Sequence, residues 1–199
     1  MPRGLSINRP GPGQLAIVLG LALLLTRPWL EAGMAGHMGV QIPLLVLLGM
    51  LLVRHGRSRV AADLERTARR YRAALLLFSL ITLMLWMLPR MLDAALHQPA
   101  FELAKWLSLP LAGATLSLSW AHLPVILRGV LHLELIATLL RLGWLYLQAP
   151  ERYCVSYGIG DQQDLGYLLL IYAAGHGLWL AGRLLLAPTP LTNGASSPH

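Results

Sequence analysis

Only one cysteine, Cys154, occurs among 199 residues, so no disulfide can close within the chain and a thiolate zinc site of the CxxC kind is excluded. Charge is scarce too: 13% of the residues are Asp, Glu, Lys or Arg, where a soluble domain carries about 25%. A Ser/His/Asp set, a phosphate-binding glycine loop and an HExxH motif are all missing, which argues against an enzyme of the common catalytic classes. No repeated pattern of broken helices suggests a transporter. Strict apolar–polar alternation is missing as well, and runs such as Leu44-Leu45-Val46-Leu47-Leu48 exclude a membrane β-barrel.

What fills the chain is apolar sequence: 56% of the residues are hydrophobic. They lie in blocks near the roughly 20 residues that a helix needs to cross hydrocarbon. Backbone amides in lipid must bond within their own segment, so the blocks are helices. The expected fold is an all-α polytopic transmembrane bundle of about six spans, at 14–30, 33–53, 73–92, 103–127, 130–147 and 165–187. The segments 1–13 and 188–199 read as disordered termini flanking the helical domain 14–187. Arg27-Pro28-Trp29-Leu30-Glu31 makes a poor cleavage region, so the first span reads as a retained helix rather than a signal peptide.

The net charge of +7 is concentrated rather than spread. Seven arginines and two acids, Asp63 and Glu65, lie in the connection 54–72 between two apolar blocks. That is the signature of a cytoplasmic loop in a membrane protein. It places both termini in the cytoplasm, with the connections near 27–33, 90–102 and 148–164 on the other side. The same location argues against nucleic acid as a partner and in favour of membrane lipid, including anionic headgroups.

Methionine and histidine carry the best candidate chemistry. Met34, His37 and Met38 are spaced i, i+3, i+4 at the outer end of the second span. Met84, Met87 and Met91, spaced i, i+3, i+7, climb the third span towards the same side. Thioethers favour Cu(I), and imidazole suits copper as well. A Cu(I) site on Met34, His37 and Met38, closed by Met87, Met91 or His97, is therefore expected, with Asp93 and Cys154 on the same side. His122, His132 and His176 are the candidates for an alternative, axial ligation of haem b in an electron-transfer subunit. Glu134 and Arg141, seven residues apart in the fifth span, read as an internal polar contact between helices. Asp161, with Asp164, reads as the cap of the last helix, which leaves Gln162 and Gln163 unexplained.

Two segments resemble the CtaG family of bacterial membrane proteins. Gly36-His37-Met38-Gly39-Val40-Gln41 opens a helix like that family's His-Met pair, and Asp161-Gln162-Gln163 is similar to its Asp-Gln-Gln signature before a late helix. Between them, Trp120-Ala121-His122-Leu123-Pro124 resembles its Trp-His-Pro region. Where the family carries a second histidine after the pair, this chain has Gln41 and Ile42. A His-Glu-His-like element is reduced to His132-Leu133-Glu134, and the chain is short by a span. The resemblance implies a non-enzymatic role in copper delivery to, or assembly of, a cytochrome c (haem–copper) oxidase of the respiratory chain. It carries over to His37, Met38, Asp161, Gln162, Gln163 and His122. A ligand-free structural subunit of a membrane complex is the remaining alternative.

Overall fold

The computed structural model describes residues 11–54 and 59–186, and those residues are helical with no strand among them. The two expected disordered ends, 1–13 and 188–199, lie outside the described residues except for 11–13. The elements are α1 (Pro12–Leu30), a π-helix (Ala35–Gln41) running into α2 (Ile42–Arg54), α3 (Arg59–Trp86), α4 (Pro89–His97), α5 (Pro99–Trp120), α6 (Val125–Gln148) and α7 (Ile159–Leu185).

Among the described residues, three stretches, Pro12–Leu30, Ala35–Val53 and Ile159–Leu185, are long and apolar enough to cross a membrane. The bent pair Glu65–Trp86 and Pro89–His97 makes a fourth if it is counted as one span. Outward-facing Ile17, Val18, Leu21, Leu25, Ile171 and Leu178 give the bundle an apolar exterior. Water does not tolerate so continuous a patch, whereas lipid does.

Prolines set most of the breaks, and they move several expected boundaries. The third span does not run to residue 92: α3 stops at Trp86, and α4 leaves at 74°. Leu88 precedes Pro89 and is extended (φ −76°, ψ 127°), as the proline ring requires. The fourth span ends at Trp120 rather than 127, because Pro124 occupies the N-cap of α6. The basic connection 54–72 is not all loop. From Arg59 onward it is the first part of α3, bent at Tyr71 (φ −109°, ψ 21°), and its Ala, Leu, Glu and Arg residues are good helix formers. The last helix begins at Ile159, six residues before the expected start.

The π-helix also has a proline behind it. Pro43 has no N–H to give the carbonyl of Gly39, and its ring crowds that carbonyl. The turn widens, and the Tyr172 hydroxyl donates to Gly39 O instead, at 3.2 Å.

α2, α3 and α5 form the packed centre, α1 lies against α2, and α6 pairs with α7. The α2–α5 crossing is backbone against backbone. A Cβ on Gly49 would overlap the carbonyl oxygen of Pro110, and one on Gly113 that of Val46. Small residues allow such an approach between membrane helices. α3 joins α5 through Ser79 and Thr115 (Oγ to Oγ1, 2.8 Å) and through Trp86 Nε1, which donates to Ser108 Oγ at 2.8 Å. Gly49→Ala and Gly113→Ala are each expected to destabilise the bundle by about 1–3 kcal/mol. Gly129→Ala, in open space, should gain up to about 1 kcal/mol from helix propensity. Thermal unfolding in detergent distinguishes them, and equal midpoints for all three would refute the close crossing.

Candidate functional site

The centre of the site is a charge that the sequence hides well. Lys105, the only lysine in the chain, is fully enclosed on α5. Its ammonium donates to Glu31 Oε1 at 2.7 Å, to His37 Nε2 at 2.9 Å and to Gln41 Oε1 at 2.9 Å. An ammonium has three donors, and all three are used. Glu31 lies just beyond α1, while His37 and Gln41 come from the π-helix.

A second ring of contacts holds these acceptors. Arg27 Nε binds the other Glu31 oxygen at 3.0 Å, and its Nη1 reaches Glu102 Oε1 at 2.6 Å. Gln41 Nε2 donates to Glu31 Oε1 at 3.1 Å. Burial pushes the Glu31 carboxyl up, but the bonds from Lys105, Arg27 and Gln41 outweigh it and hold the group below its ordinary value. Tyr157 donates its hydroxyl to the Glu31 carbonyl at 2.9 Å and lies 2.9 Å from His37 Nδ1. With its proton given to Glu31, that hydroxyl can only accept from His37. His37 is therefore the Nδ1–H tautomer, with the Nε2 lone pair aimed at Lys105.

The expected metal donors divide. Met34, His37 and Met38 are all enclosed on this one turn. Met87 and Met91 pack partly buried on the same core. Met84 does not belong with them: it is 72% exposed, because the i, i+3, i+7 ladder presumed a continuous helix and α3 ends at Trp86. His97 is exposed and 3.1 Å from Ser156 Oγ. Both nitrogens of His37 are engaged, and Met38 Sδ accepts a long bond from Tyr146 OH at 3.8 Å. Among the described residues, no three His, Cys, Asp or Glu side chains cluster at metal-binding distance.

Asp93 and Cys154 serve the loop between α6 and α7. Asp93 accepts from the backbone of Val155 at 3.0 Å and of Ser156 at 3.2 Å. The Cys154 sulfur lies 3.7 Å from Pro89 O. Gln162 is explained here: it accepts from Tyr153 N at 3.0 Å and donates to the carbonyls of Tyr146 (3.3 Å) and Glu151 (3.4 Å). Gln163 is exposed. Gly158, not Asp161, occupies the N-cap of α7, and Asp161 accepts from its N–H at 3.0 Å from the third helical position.

The histidines of the haem alternative come only partly together. His132 Nδ1 and His176 Nε2 are 3.0 Å apart, with the Trp120 and Trp179 rings 5.2 and 5.4 Å from His132. They share one hydrogen bond, and axial ligation would have to part them to opposite faces of an iron. His122 lies in the turn after α5, where its carbonyl accepts from Arg72 at 3.3 Å. Glu134 and Arg141 do pair, but within α6 and with both side chains more than 60% exposed, so the contact does not join helices.

The fold and this cluster define a helical membrane protein built around an enclosed charge network. Comparison with family models, with curated proteins and with solved structures finds no match.

Burial raises the Cys154 thiol to about 12, with the nearby Asp93 carboxylate adding to it. Maleimide labelling of the folded protein near neutral pH should therefore be at least roughly a hundredfold slower than that of a free thiol. Denaturation should restore the ordinary rate. Rapid labelling of the native protein would contradict the enclosure of this loop.

Proposed function

We propose that this chain is a non-enzymatic, multi-pass protein of the bacterial inner membrane that assists assembly of a haem–copper oxidase and handles Cu(I) on the π-helical turn. The observation carrying this is the enclosure of two thioethers and an imidazole, Met34, Met38 and His37, on that one turn. The two resemblance-bearing segments are linked there through Tyr146. Met38 Sδ contacts Tyr146, whose backbone carbonyl accepts from Gln162, and a Cβ on Gly33 would lie 3.4 Å from Asp161 Oδ1.

The donor set fits a soft monovalent ion. Met34 and Met38 would supply its sulfur ligands, with Met87 and Met91 packed on the same core. Bound there, Cu(I) would be held by ligands weak enough to exchange onto a partner. His37 can join only when Lys105 gives up Nε2, since that lone pair serves one partner at a time. Met34→Leu with Met38→Leu conserves volume and should lower Cu(I) retention of the purified protein about tenfold or more. Equal retention by wild type and double variant would remove the site. A second reading, a ligand-free subunit, is favoured by the saturation of both His37 nitrogens. It predicts no bound copper and co-purification with the oxidase.

The same reading takes α1, the π-helix with α2, α3 with α4, α5, α6 and α7 as six crossings, with the His37 end outside and both termini inside. In a Cys154→Ala background, Arg66→Cys should be labelled only from the cytoplasm and Val155→Cys only from the opposite side. Labelling of both from one compartment would sink this arrangement.

A further inference from the structure

The ammonium of Lys105 sits where a metal ion would. Around it converge a carboxylate oxygen of Glu31 (2.7 Å), an imidazole nitrogen of His37 (2.9 Å) and an amide oxygen of Gln41 (2.9 Å). Each of the three is a recognised donor type for borderline and hard divalent ions. Three protein donors and a water make the ligand count of an open zinc site.

The supports are also those of a metal site. His37 has its second nitrogen fixed by Tyr157 OH at 2.9 Å, which sets the tautomer and aims the other lone pair inward. Glu31 has its second oxygen tied to Arg27 at 3.0 Å, which keeps Oε1 facing the ammonium. Gln41 donates its N–H to Glu31 at 3.1 Å, so its carbonyl oxygen is the atom left for the cation.

We propose that Glu31, His37 and Gln41 form a divalent-metal cradle that Lys105 keeps plugged, making Lys105 the determinant of metal choice at this end of the bundle. With the nitrogen and oxygen donors covered by a tethered cation, the thioethers of Met34 and Met38 are what a metal meets. That enclosed donor pair suits Cu(I) and turns away zinc-class ions. The selectivity for Cu(I) rests on the function proposed above, whereas the cradle stands on the three contacts alone.

The test is zinc binding by full-length Lys105→Leu in detergent, read as metal content after desalting and as a zinc-dependent rise in the unfolding midpoint. The variant should retain about one zinc per chain, and wild type almost none. Adding Glu31→Gln or His37→Ala to Lys105→Leu should weaken that zinc about tenfold or more. A folded Lys105→Leu that holds no more zinc than wild type overturns the cradle. If that variant is not recovered, Lys105→Gln, which keeps an N–H for Glu31, is judged by the same criterion, and failure of both to fold even with zinc also overturns it. Zinc gained by the variant while wild type retains no Cu(I) upholds the cradle and removes the copper reading. Cu(I) retained by wild type with no zinc gained does the reverse.

Discussion

A single enclosed ammonium organises one end of this protein. Neither lipid nor a packed interior tolerates an isolated charge, so Lys105 can exist there only with its counter-charge and acceptors in place. Those come from separate segments, Glu31 after α1 and His37 with Gln41 on the π-helix, while Tyr157 in the loop before α7 fixes His37. Arg27 and Glu102 extend the chain of charge by one pair. Removing one member of such a buried pair costs about 3–5 kcal/mol, far more than the pair contributes over an apolar replacement. The network is therefore better read as a device that specifies arrangement than as a source of stability.

The π-helix is the local distortion that makes this arrangement available. An extra residue in the turn rotates everything upstream of it by about 100° relative to an unbroken helix. Counting back from α2 with a regular period would therefore misplace Met34. Pro43 supplies the cause, Tyr172 satisfies the carbonyl that Pro43 strands, and Lys105 fills the space that the widened turn faces. Distortion and charge depend on one another.

The all-helical class and the membrane setting were legible because apolar blocks and charge placement are one-dimensional signals. The grouping of Met34, His37 and Met38 was legible as well, through their helical spacing. Expectations failed wherever a single proline outweighed a run of apolar residues, as at Pro89 and Pro124. Met84 was misplaced for that reason, and the earlier start of α6 brings His132 opposite His176. The largest omission was Lys105 with Glu31 and Tyr157. The signal was present: the only lysine in the chain falls within an apolar span, where an ionisable group is a candidate by default. What no spacing rule could supply was the set of partners, since Tyr157 and Lys105 lie 120 and 68 residues from His37.

Charge balance within the helices leaves the excess positive charge on few residues. Arg27 and Lys105 are met by Glu31 and Glu102, and Arg141 by Glu134, so the ion-paired charges of α1, α5 and α6 cancel. The last of these pairs lies near the middle of α6 and faces outward, where its two charges offset each other. Cancellation inside leaves the excess positive charge concentrated at the end that carries the start of α3, where Arg66, Arg69, Arg70 and Arg72 crowd together. The network around Lys105, for all its charge, contributes no net sign to the opposite end.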